Sequence, residues 1–153
     1  MYSRKEIIKL LKPDPEWKGF DNWIYTKKKT NLKNVLKTIH TAWDIIEDFK
    51  RPTFMELATQ IKNTYPAKLP KRKMNKVIKI KNGYNDKMLK IPAFYYKDLK
   101  KHWPDDFPDN KSMPDNVYVA EDGNHRLTAY ALKYLEGNIS GEILVELYLG
   151  KKK

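Results

Sequence analysis

Four consecutive residues carry the types and spacing for phosphate chemistry: Gly123, Asn124, His125 and Arg126, within VYVAEDGNHRLTAYALKYLEG over 117–137. The chain holds three histidines and four arginines, and here one of each stands side by side. An arginine fork can donate to two phosphate oxygens at once, and a histidine ring adds a hydrogen bond and a transferable proton. If a helix begins at this point, its unpaired amides and positive dipole end favour an anion in the same place. Glu121 and Asp122 immediately precede the turn. Two carboxylates beside a phosphate could hold Mg²⁺ or take a proton from an attacking group. The competing pattern is local: Asp122 shapes the turn, and Arg126 pairs with Glu121 or Asp122.

The flanking residues supply the elements that such a cradle needs. Val117–Ala120 is a short apolar run with the character of a buried strand. Asp122-Gly123-Asn124 is a turn, with Gly123 free to adopt positive φ and Asn124 the expected N-cap. Leu127, Ala131, Tyr134 and Leu135 share one helical face, Gly137 ends the helix, and Ile143–Leu149 is a second apolar strand. The unit is strand, turn, helix, strand.

Further upstream, Ser3 and Glu6 form a capping box for a helix that Pro13 stops. Residues 13–31 look like a loop, which Trp17, Phe20, Trp23 and Tyr25 anchor on the core. Leu32, Val35, Leu36, Ile39, Trp43, Ile46 and Phe49 recur at helical spacing and predict the longest helix, over about 31–50. His40, on the flank of that stripe, is expected to be structural. Thr53 and Glu56 form a second capping box, opening a helix over about 54–64. Residues 66–75 are expected to be a surface linker. Val77–Ile80 is expected to be a strand leading through Asn82-Gly83 to a second strand over 88–96. Pro92 in that run suggests an edge strand or a bulge. Asp98–Trp103 suggests a helical turn, and 104–114 a loop.

The chain has 153 residues and a net charge of +12. The charge is uneven, with 25 basic and 10 acidic residues over 1–102, against 6 and 9 over 103–153. Lys68–Lys101 alone holds 12 basic and 2 acidic residues, a block suited to DNA or RNA phosphates. With no cysteine, disulfides and thiolate chemistry are excluded. No apolar run is long enough for a membrane span and Met1–Leu11 lacks a signal-peptide core, so a cytosolic protein without a membrane partner is expected.

EDGNHRLTAYAL resembles the G-x-H-R or G-E-R-R signature of the ParB/sulfiredoxin superfamily, in which a strand leads through a glycine turn into a helix that holds nucleotide phosphates. RPTFMELATQIK, over 51–62, is similar to the helix that opens ParB-like domains. The resemblance implies an α+β or α/β fold, a small mixed sheet packed with helices. It assigns 51–153 to a ParB/sulfiredoxin-like domain with a basic insertion at about 66–116, preceded by an N-terminal helical extension over 1–50. It implies a nucleotide, ATP or CTP with Mg²⁺, held by Gly123, Asn124, His125, Arg126 and Arg51, with Asp122 and Glu121 on the metal. His125, Arg126, Glu121 and Glu56 become the catalytic candidates for a phosphotransferase, phosphohydrolase or nuclease. Sulfiredoxin-type repair needs a cysteine where Asn124 stands and is excluded. The alternative is a noncatalytic DNA- or RNA-binding protein acting through Lys68–Lys101.

Overall fold

A sheet buried on both faces carries the turn. The structure is a computed structural model that describes residues 1–43, 51–63, 69–85, 87–107 and 113–153. Among these residues the elements, in chain order, are β1 (Tyr2–Ser3), α1 (Arg4–Leu11), β2 (Trp23–Asn31), α2 (Leu32–Thr38), β3 (Ile39–His40), α3 (Phe54–Asn63), α4 (Lys71–Asn82), β4 (Leu89–Tyr95), α5 (Tyr96–His102), β5 (Tyr118–Ala120), α6 (Asn124–Leu135) and β6 (Leu144–Lys152). The six strands form one mixed sheet in the order β1-β2-β6-β4-β5-β3, so the fold is α+β. The β6–β4 and β5–β3 pairs are parallel and the others antiparallel.

Alternation sends Leu89, Ile91 and Ala93 of β4 and Val145 and Leu147 of β6 to one face, where they pack with buried residues of α2, α3, α4 and α6. Phe94, Val119, Tyr148, Tyr25 and Trp23 point to the other face, against Ile7 of α1, Leu99 of α5 and Phe20. With both faces covered, the middle strands are mostly apolar, interrupted by Lys90 in β4 and Glu146 in β6. The aromatics of 17–25 are core, as expected: Phe20, Trp23 and Tyr25 are buried, and Trp17 stacks on Phe94 at 5.4 Å.

Several expectations from sequence are corrected. The loop over 13–31 ends in a nine-residue strand, β2, paired along its whole length with β6. Only Ile24 and Tyr25 pair with β1, which leaves the rest of β2 as an edge and accounts for Lys27, Lys28 and Lys29. Residues 1–40 therefore supply three strands to the common sheet, where a helical layer was expected. The helix expected over 31–50 begins on time, with Asn31 accepting the Asn34 amide at 2.8 Å, but stops at Thr38. Ile39 turns extended (φ −96°, ψ 131°) and pairs with Tyr118. The remainder of that prediction, 44–50, lies outside the described residues.

Of the linker and strand expected over 66–80, residues 71–80 belong instead to α4, and 66–68 lie outside the described residues. Met74 and Val77 are its buried residues, three apart, and Gly83 ends it by donating to the Lys79 carbonyl at 3.1 Å. The segment taken for an insertion also contributes a central strand, because β4 lies between β6 and β5. Pro92 is thus interior. Its carbonyl accepts the Glu121 amide at 2.9 Å, and the donor that proline lacks would face the point where β5 ends, so the ladder loses one bond at its terminus. The helix expected over 54–64 is α3, and the strand–turn–helix–strand unit is β5, α6 and β6. No helix among the described residues is long and apolar enough to cross a membrane.

Candidate functional site

The turn into α6 is fixed by close packing. Gly123 caps the helix at φ +83°, a left-handed backbone that favours glycine, and a Cβ there would lie 2.7 Å from Ile91 Cδ1, so that side-chain end would have to shift. Its amide donates to Asp122 Oδ1 at 2.8 Å. The Leu127 amide bonds to the Gly123 carbonyl at 2.8 Å, which leaves the amides of Asn124, His125 and Arg126 outside the helical ladder.

Asn124 is the first helical residue and not the expected N-cap. Its buried side chain accepts the Ala42 amide at 2.8 Å and donates to the Ala120 carbonyl at 3.2 Å, so it ties the loop after β3 to the end of β5. Glu121 is buried in an ion pair with Arg4, 2.7 Å from Nη1 to Oε1 and 2.6 Å from Nη2 to Oε2. Oε2 also accepts the Trp17 amide at 2.9 Å, and Arg4 donates to Tyr25 Oη at 3.0 Å. Both Glu121 oxygens are therefore engaged within the scaffold. Arg126 does not pair with Glu121 or Asp122. It is exposed, without an ion-pair partner among the described residues.

His125 is half-buried, edge-on to Trp43 with ring centroids 4.8 Å apart. Burial, then the charges of Lys76 and Lys73, hold its pKa below the ordinary 6.5, while Asp122 pulls the other way. Lys73 Nζ lies 4.8 Å from the Trp43 ring centre, and its own pKa is lowered by burial and by Arg51. His125 borders a pocket of about 260 Å³ together with Trp17, Trp43, Asp14 and Asp122. Arg126 opens on the other side, into a groove of about 640 Å³ between α4 and α6, lined also by Lys76, Lys79, Lys87, Tyr84 and Tyr130. No acidic side chain among the described residues lines that groove.

The two upstream candidates serve the scaffold. Arg51 is buried, donates to the Ala42 carbonyl and, at 2.6 Å, to the Asp106 carbonyl, and lies 4.3 Å from the Phe107 ring centre. His40 Nδ1 is 2.6 Å from the Arg51 carbonyl oxygen. Glu56 closes the capping box of α3, with 3.1 Å bonds in both directions to Thr53. Among the described residues no group of three or more His, Asp or Glu side chains could hold a metal ion.

The turn was legible in sequence, but its surroundings were not. Trp43 was assigned to a helix, and Lys73, Lys76 and Lys79 to a linker and a strand. The signal was their spacing of three, which puts them along one side of a helix once 71–82 is recognised as one. Compared with protein-family models, with curated proteins and with solved structures, the chain matches none.

Proposed function

We propose that the protein binds phosphate chains, either a nucleotide or a phosphodiester strand, in the groove between α4 and α6. One observation carries this reading: the arginine of the Gly-Asn-His-Arg turn and the lysines of the basic block share one groove without an opposing carboxylate among its described residues. Arg126 suits bidentate contact with phosphate, Lys76, Lys79 and Lys87 add point charges, and the half-buried Tyr84 offers aromatic surface to a base. The resemblance of EDGNHRLTAYAL to the ParB/sulfiredoxin superfamily implies nucleotide phosphates at the same turn.

Binding is better supported than turnover. With Glu121 held by Arg4 and Glu56 by its cap, Asp122 is the remaining carboxylate candidate at the turn. Mg²⁺ often binds through one or two carboxylates plus substrate phosphates, but Asp122 borders the His125 pocket and not the α4–α6 groove, so it would meet an ion carried in on ATP or CTP only if the phosphates reached across the turn. A phosphotransfer or nuclease activity would have to run through Asp122 and His125.

Calorimetric titration with ATP, CTP and a short oligothymidylate, each with and without Mg²⁺, tests the proposal. At least one should bind the wild type, and Arg126→Ala/Lys79→Ala should lose at least about tenfold in affinity, each charged contact contributing roughly 1.5–3 kcal/mol. Equal affinities in wild type and a folded variant would refute it.

A further inference from the structure

A second surface lies on the sheet itself, away from the α4–α6 groove. The face that carries Leu89, Ile91 and Ala93 under the helices continues along β4 to Tyr95, and across β5 to Tyr118. At this end the face is only partly buried. Tyr95, Tyr118, Ile24 and Leu149 are half-buried, and Thr26, Lys28 and Lys151 are exposed. Register puts Ile24 opposite Lys151 and Tyr95 opposite Tyr118, so four adjacent strands present them in one row. The tyrosine rings are 5.3 Å apart, and Lys151 Nζ lies 5.0 Å from the Tyr95 ring centre. Beside them is a concavity of about 380 Å³, whose described lining is apolar, hydroxylic or lysine. The carboxylate whose charge reaches Tyr118 is Asp98, and it already accepts the Lys152 amide at 2.8 Å.

A cross-strand tyrosine pair by itself stabilises a sheet. Half-buried rings beside lysines of β2 and β6, with no acid among the described lining residues, also complement a chain of bases and phosphates. We infer that this open sheet face is a platform for single-stranded nucleic acid, with bases on Tyr95 and Tyr118 and phosphates on Lys28 and Lys151. Stacking suits any base because each has a π-face, so the platform would be tolerant of sequence. It stands independently of the groove.

The test uses an oligothymidylate of about twelve nucleotides, labelled for fluorescence anisotropy at low salt. It is run in an Arg126→Ala/Lys79→Ala background, so that binding in the groove does not mask the platform. The oligonucleotide should still bind, and Tyr95→Leu/Tyr118→Leu added to that background should weaken it at least about fivefold. In wild-type protein the same tyrosine changes should leave ATP and CTP titrations unaltered. An iodouridine-substituted strand should crosslink to Tyr95 or Tyr118. Should the tyrosine variant fail to fold, Lys28→Gln/Lys151→Gln changes only exposed side chains. It should reduce the slope of log affinity against log salt by about 1.4. Absence of binding, unchanged affinity or salt slope in the folded variants, or equal competition by polyglutamate would each overturn the inference, the last because it would show charge without stacking.

Discussion

Arg4 and Glu121 show how a conspicuous carboxylate can be consumed before any ligand arrives. Their side chains are almost wholly buried and doubly hydrogen-bonded, so Glu121→Gln leaves a buried guanidinium without its counter-charge. The expected loss is about 3–5 kcal/mol in urea unfolding, with partial recovery in Arg4→Met/Glu121→Leu. His125 makes the opposite prediction, one of function. Its pKa is depressed by burial and by Lys76 and Lys73, so it is neutral at pH 7. Below the ordinary 6.5 the unfolded chain takes up a proton before the folded chain does, and stability falls as pH drops through that value. A bound anion beside Lys76, which lines the groove and also bears on His125, favours the imidazolium. Affinity for a phosphodiester strand should therefore rise between pH 7.5 and 5.5, about at and below the unperturbed histidine value, with proton uptake on binding. Calorimetry in buffers of different ionisation enthalpy should detect that uptake, and His125→Gln should abolish both effects.

At the scale of elements, the turn before α6 depends on one glycine. Gly123→Ala forces a side chain into a left-handed backbone and against Ile91, so a loss of about 1–3 kcal/mol is expected in thermal or urea unfolding. Adding Ile91→Val removes the clashing methyl and should recover part of that loss, leaving the backbone strain. This unit was legible because its signals are local: an apolar run, a glycine turn, a 3.6-residue stripe and Gly137 at the end. Elsewhere local pattern lost to tertiary pairing. Ile39 continues a helical stripe, yet hydrogen bonding with β5 pulls it extended. Val77-Ile-Lys-Ile alternates like a strand, yet Met74 and Val77 face α3 and α6 from a helix. β2 was hidden by its lysines, which sit on an edge that only the assembled sheet defines. Of the site, the residues next to Gly123 could be named from sequence. Trp43, Lys73 and the lysines of α4 could not, because their proximity is created by folding.

For the whole molecule, the excess positive charge of +12 finds a local expression in the groove, where Arg126, Lys76, Lys79 and Lys87 face one space. If all four neutralise phosphates of a single strand, log affinity should fall against log salt with a slope of about −3, and in Lys76→Gln/Lys79→Gln with a slope nearer about −1.4. Equal slopes would place the phosphates elsewhere. The same arrangement makes β4 the organising strand: Ile91 packs against the glycine turn, and Tyr95 ends the strand on the open sheet face. The most direct test of phosphate binding at the α6 turn is an amide chemical-shift titration of the intact chain with ATP, CTP and oligothymidylate. The expected result is that the largest shifts fall on residues 123–127 and on the α4 face at Lys76 and Lys79. Saturating shifts confined to other regions, or none with any of the three, would contradict it.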